Sequence, residues 1–195
     1  MGLTVEVDGV PAGMTIRLTG ACEAAAVMEV LDGGRAAIAQ LGLEQWQHGY
    51  PNLDSVTADI TAGRCLVAED TASGALLGTC ALCLERDADY TAAAQAGVPW
   101  LTDSFVDPVP YAAVHRCATA AAARRRGVMA ALIADVSARA LAAGRVSLHM
   151  DTHPDNVRMR GFLASQGFTE LGAFEMVDHA VPTDTLRIAY EKMLV

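Results

Sequence analysis

The sequence predicts a mixed α/β domain, a sheet with helices packed on both of its faces. Three observations predict it. Short apolar runs of strand length alternate with stretches in which apolar residues recur at helical spacing. Their order is strand, helices, three strands, helix, strand, helix, two strands, which is a layered arrangement and not a bundle or an all-β barrel. The chain has 195 residues, 52% of them hydrophobic and 19% charged, enough for one globular domain with a sizeable core.

Taken in order, residues 1–13 form an N-terminal extension, turn-rich around Gly9, Pro11 and Gly13, and 14–195 form a single domain. Residues 14–18 are a first strand. Thr19 can cap the helix that follows, with Glu23 near its first turn. Val27, Leu31, Ile38 and Leu41 carry the helical spacing, and Gly33-Gly34 is expected to break it into two pieces. Residues 42–52 form a loop ending at Pro51, followed by a helix over 53–62. Strands are expected at 65–69 and 75–85, joined by the turn residues 71–74, with 87–110 as a long surface loop. A strand at 111–118 leads into a helix over 127–143 that Gly144 ends. Its connection to the next strand, 145–152, should be a parallel crossover. A helix then runs to about Gln166 and is stopped by Gly167. Strands at 169–176 and 186–193 flank a loop containing Pro182.

A formal net charge of −9 argues against general nucleic-acid binding, which needs a cationic face, and weakly favours a cationic substrate. No apolar run approaches the ~18 residues that span a bilayer, so no membrane partner is expected. The N-terminus lacks the pattern of a secretory signal, and five cysteines suit reduced thiols, so a cytoplasmic location is expected. Against this acidic background Arg124-Arg125-Arg126-Gly127-Val128-Met129-Ala130 is a local reversal of sign. It follows a strand and opens a helix. Free amides and the helix dipole at such a terminus hold phosphate, and Gly127 lets the backbone approach a ligand.

That loop, Asp151-Thr-His-Pro-Asp-Asn156 before a helix, Gly167-Phe168 after it and Arg187-Ile-Ala-Tyr-Glu-Lys192 together resemble the GNAT superfamily of N-acetyltransferases over nearly the whole chain. The resemblance implies a mixed, mostly antiparallel central sheet of about seven strands with a splayed pair of parallel central strands. It implies acetyl-CoA as co-substrate, direct transfer of acetyl to a primary amine of a small-molecule or peptide acceptor, and no metal. The pantetheine arm would lie against the backbone of Cys117, Ala118 and Thr119. The pyrophosphate would sit on the amides from Arg125 through Gly127, Val128 and Met129 to Ala130, with Arg124, Arg125 and Arg126 supplying charge. Met129 stands where the family has a small residue. Asn156 would contact the CoA arm; its alternative role is a helix N-cap. The family's tyrosine acid falls on Leu163, with Phe162 beside it, and neither can donate a proton.

A base must take the amine's proton, since a lysine-like ammonium titrates near ~10.4. The candidates are His115, Glu85, Asp151 and His153, with a packed core histidine as the alternative for His115. Trp46, His48, Tyr50 and Asp54 are expected to build the acceptor pocket, or else to lid the core. His149-x-Asp151-x-His153 is no three-ligand metal site on a strand, because its histidines lie roughly 13 Å apart. Cys80 and Cys83 should face opposite sides of a strand, and Cys117 should be a small buried hydrophobe and not a nucleophile. Two other functions stay open: a CoA-binding sensor or scaffold without turnover, and an anion- or RNA-binding module. A homodimer also stays open, the 87–110 loop serving as its contact or as a lid.

Overall fold

The computed structural model describes residues 10–177 and 184–194. Most of the extension (1–9) and Pro182 lie outside them. The elements are β1 (Met14–Leu18), α1 (Ala24–Ala39), α2 (Leu53–Thr61), β2 (Cys65–Asp70), β3 (Leu76–Cys83), α3 (Ala88–Gln95), β4 (Tyr111–Thr119), α4 (Val128–Ala142), β5 (Ser147–Thr152), α5 (Val157–Ser165), β6 (Thr169–Glu175) and β7 (Leu186–Met193). One seven-stranded sheet runs in the order β1-β2-β3-β4-β5-β7-β6. Every pairing is antiparallel except β4 with β5.

Strand alternation divides the core. In β2, Leu66 and Ala68 pack under α4 and α5, while Cys65 and Val67 pack under α1 and α2. In β4, Ala112 and Val114 join the α4 side, while Tyr111 and Ala113 face Tyr90 and Phe174. Both faces are therefore covered, and β2 is apolar nearly throughout. Cys80 and Cys83 point to opposite faces as their odd spacing requires.

Three expectations change. First, α1 is continuous through Gly33 and Gly34. A Cβ on Gly33 would meet nothing, but one on Gly34 would lie 3.1 Å from the Ala118 Cβ and 3.2 Å from the Trp46 ring. Gly34 is where the helix comes closest to β4, and that packing outweighs its poor helix propensity. Second, Thr19 does not cap α1. Its hydroxyl donates to the Cys65 carbonyl, the N-cap is Glu23, and the Glu23 carboxylate accepts two bonds from Arg17.

Third, 87–110 is not a bare surface loop. Asp87 caps α3 by accepting from the Tyr90 amide, and Tyr90 is wholly buried. The segment is fixed to the sheet by a buried clamp. The His149 ring is sandwiched between Trp100 and Tyr111, with centroids 4.0 Å away on each side. Its Nε2 lies 3.1 Å from Glu191, whose carboxylate also accepts from the Thr102 hydroxyl at 2.6 Å and the Leu101 amide at 2.5 Å. Burial pushes the imidazole pKa down, and protonating Nδ1 would bury an N–H without an acceptor. Burial alone would raise Glu191, but the bonds from His149 and Thr102 more than offset it and the pKa falls.

Two expectations for stability follow. Gly33→Ala should raise it by about 0.5–1 kcal/mol in chemical denaturation, while Gly34→Ala gains nothing or loses; equal gains would contradict the close packing at Gly34. For the clamp, the unfolded chain binds protons that folded His149 and Glu191 refuse. Stability should therefore fall as pH drops below about 6.5 through the histidine window, and again below about 4.3 through the glutamate window. His149→Phe keeps the ring stack and should flatten the loss between pH 7 and 5; an unchanged slope would contradict this.

Candidate functional site

The parallel ladder between β4 and β5 is short. It runs from Tyr111 opposite Ser147 to Ala113 opposite His149 and then stops, although β4 continues to Thr119 and β5 to Thr152. Beyond that point β4 stays bonded to β3, and β5 to β7. A bulge accompanies the divergence. Ala81 faces His115 and Thr79 faces Ala118, so β4 carries one extra residue, and Arg116 takes a left-handed φ of 51°.

Two cavities open on this gap. The larger, about 490 Å³, is floored by Cys117, Ala118 and Thr119 and closed by the 124–127 loop and the start of α4. Gly127, at φ 78°, is the N-cap of α4, and the first helical bond runs from the Ala131 amide to its carbonyl. The amides of Val128, Met129 and Ala130 consequently have no intrahelical acceptor. Arg125 also takes a left-handed φ of 63°, which turns the loop sharply. Gly78 lets this helix start settle onto β3, since a Cβ there would lie 2.7 Å from Val128. Of the three arginines, Arg124 and Arg125 border the groove, whereas Arg126 turns away toward Asp70 at 3.7 Å. Met129 is half-buried and, with Phe162, forms part of the groove wall.

The smaller cavity, about 150 Å³, meets the groove at Ile38, Cys117, Asn156 and Met159. Asn156 is the N-cap of α5, accepting from the Met159 amide at 3.2 Å, and it borders both cavities. Trp46, His48 and Tyr50 line the smaller cavity; Asp54 does not, being exposed in the first turn of α2. His115 lines it too, with Nε2 3.0 Å from the Asp87 carboxylate and its ring stacked on Tyr90. The Tyr90 hydroxyl donates to Asp151 at 2.9 Å, and Arg187 Nε lies 3.5 Å from the other Asp151 oxygen. Burial raises the Asp151 pKa. Burial works the same way on Asp87, but His115 more than offsets it and the carboxyl titrates low.

Glu85 and His153 fall outside the cavity lining: Glu85 is exposed and paired with Arg64 at 3.0 Å, and His153 lies 3.6 Å from Asp184. Leu163 is wholly buried in the core. Sequence reasoning missed Asp87, Tyr90, Asp59 and Arg116. Asp59 meets Arg116 Nε at 2.5 Å and Nη2 at 2.8 Å, and Nη1 donates to the Tyr50 hydroxyl at 2.5 Å. Only the Asp87-x-x-Tyr90 cap left a signal in the sequence. Among the described residues no group of three or more His, Cys, Asp or Glu gathers to hold a metal ion.

The family model for GNAT acetyltransferases matches residues 28–168. The chain belongs to the GNAT acetyltransferase family. As a GNAT protein it is an acyltransferase by family, with the seven-stranded sheet and diverging parallel pair that the resemblance implied. A GNAT-family acetyltransferase from Streptococcus agalactiae superposes with a TM-score of 0.69 at 30% identity, covering 93% of this chain and 96% of that one. The structure of yncA from Salmonella typhimurium with its cofactor acetyl-CoA gives 0.64 at 17% identity over 94% and 95%. The ribosomal-protein-S5-alanine acetyltransferase of Vibrio fischeri gives 0.64 at 13% over 97% of both chains. These last two show the fold alone. Among curated proteins no match is found.

Burial pushes the Cys117 thiol up to about 12, so roughly one molecule in ten thousand carries a thiolate at pH 8. Iodoacetamide at pH 8 should label exposed Cys22 and leave Cys117 unmodified in peptide mapping. Labelling of Cys117 at the rate of Cys22 would contradict its placement as an inert thiol.

Proposed function

We propose that this GNAT protein moves acetyl from acetyl-CoA to a primary amine by direct transfer. The observation that carries the proposal is the junction of the two cavities where β4 and β5 part. One cavity has the shape and amides for a long phosphorylated arm, and the other holds the titratable groups. Bound acetyl-CoA supplies the activated acyl group. The α4 amides and Arg124 and Arg125 would hold its pyrophosphate. Unpaired β4 backbone near Cys117 to Thr119, with Asn156 opposite, would hold its arm.

In this reading the acceptor ammonium gives its proton to His115. Asp87 accepts from Nε2–H, which leaves Nδ1 as the basic nitrogen and stabilises the imidazolium that forms. Asp151, bonded to Tyr90, faces the same cavity and is the alternative base; Glu85, outside it, is the weakest of the set. The N–C bond forms as the C–S bond breaks. A backbone amide at Cys117 or Ala118 would steady the charge on the carbonyl oxygen. The nitrogen, cationic once bonded to the acyl carbon, gives its second proton through water to the departing CoA thiolate, since Leu163 has none to give and the Cys117 thiol is too weak an acid.

Leu163 also favours a second reading, a CoA-binding sensor or scaffold without turnover. A cytoplasmic location belongs to this reading; the five cysteines are unpaired, and among the described residues no helix is long and apolar enough to cross a membrane. Amine-dependent release of CoA thiol separates the two readings. Gly127→Glu places bulk and negative charge on the α4 amides and should abolish CoA binding with the fold retained. His115→Ala should keep CoA affinity and lower kcat by about 10²–10⁴. Unchanged CoA affinity in the first variant, or unchanged kcat in the second, would overturn the corresponding role.

A further inference from the structure

We propose that the acceptor is a compact amine with an apolar body and no carboxylate beside its amino group. This rests on the N-acetyltransferase reading above and names the substrate class of the same site. Size is the first argument. The cavity is open on one side and offers about 150 Å³, the volume of an apolar cavity that holds benzene, so the part of the acceptor that enters it is roughly six to ten non-hydrogen atoms. A lysine side chain or a small aralkylamine fits this limit; a bulky polar head does not.

Charge is the second argument, and it separates amines from amino acids. Among the described residues, the cations lining the cavity are engaged with carboxylates or hydroxyls. Arg116 spends Nε and Nη2 on the two oxygens of Asp59 and Nη1 on Tyr50. Arg187 lies between Asp151 and Asp184, and Nη1 also bonds the Leu186 carbonyl. His48 sits 2.7 Å from Glu44. Among the described residues, five carboxylates (Glu44, Asp59, Asp87, Asp151 and Asp184) stand against these two guanidiniums. A substrate carboxylate would enter this field without a cation of its own and would lose its hydration as well, a loss that only a well-placed partner offsets. An ammonium gains where the carboxylate loses. Asp151, its pKa raised by burial beside Tyr90, is the natural partner for it.

Trp46, Met150, Met159 and Met176 supply much of the remaining wall. Aromatic and thioether surface accepts apolar groups of varied shape and offers little to a second polar group. The amino end therefore points to His115 and Asp151, and the apolar end takes the aromatic and thioether wall.

The test is a matched pair, phenethylamine and phenylalanine, which differ only by the carboxylate. Each is supplied with acetyl-CoA and followed by thiol release. Phenethylamine should show a kcat/KM at least about tenfold higher, since one unpaired buried charge outweighs the 1.4 kcal/mol that tenfold represents. Equal or better turnover of phenylalanine would overturn the proposal. If neither is used while spermidine or the terminal amine of a lysine-free peptide is acetylated, the acceptor class is wrong and the N-acetyltransferase reading stands. If no amine is acetylated although acetyl-CoA raises the melting temperature, both fall and the sensor reading takes their place.

Discussion

From Tyr111 to Ala113 the strand β4 is hydrogen-bonded to β5, and from Val114 onward it is not. The rest of the site depends on this divergence. Backbone amides and carbonyls facing the gap must find partners, and an extended ligand can provide them. The same opening lets the groove over α4 and the cavity beside His115 meet at Cys117 and Asn156. A sheet zipped to its end would bury those groups against each other and leave no such path. The bulge at Arg116 belongs to this design, because it re-aims the side chain toward Asp59 and Tyr50 and finishes the wall of the cavity.

The segment between β3 and β4 supplies what the sheet cannot. α3 delivers Asp87 to His115 and Tyr90 to Asp151, two contacts spanning 28 and 61 residues of chain. Their precision depends on how firmly the segment is held. The Trp100–His149–Tyr111 stack and the bonds converging on Glu191 hold it, 0% of either titratable side chain being exposed. A buried ion-pairing group is costly unless its bonds are complete, and Glu191 has partners on both oxygens. The clamp at the start of β5 thus helps to hold the polar groups that line the cavity at its end.

Much of this was legible in the sequence, for a physical reason. The groove at the start of α4 is built from residues close together along the chain. Arg124 to Ala130 form a loop and helix start, and Asn156 caps the next helix, so local spacing carries the signal. The seven strands also announced themselves by apolar runs. The smaller cavity was less legible because its contacts are distant in sequence. Arg116 and Asp59 are 57 residues apart and meet only through a bulge that no propensity predicts. α3 was missed because it is Ala-rich and only Tyr90 and Ala93 are buried, which leaves no period to read. Gly33 and Gly34 signalled a break that tertiary packing at Gly34 overrides. Trp46, His48, Tyr50 and Asp54 were all expected in the acceptor pocket from the family resemblance; the first three line the smaller cavity, and Asp54 stands in the first turn of α2 outside it.

In the proposed reading the gap between β4 and β5 receives the cofactor arm and the α4 amides receive its phosphates. A crystal structure of the protein grown with acetyl-CoA tests it most directly. The expected result is pantetheine hydrogen-bonded to β4 backbone between Val114 and Thr119, with the pyrophosphate on the amides of Val128, Met129 and Ala130 and the thioester at the junction beside Cys117. Acetyl-CoA bound elsewhere on the sheet, or a β4–β5 ladder closed through Thr119 with the nucleotide excluded, would contradict the account.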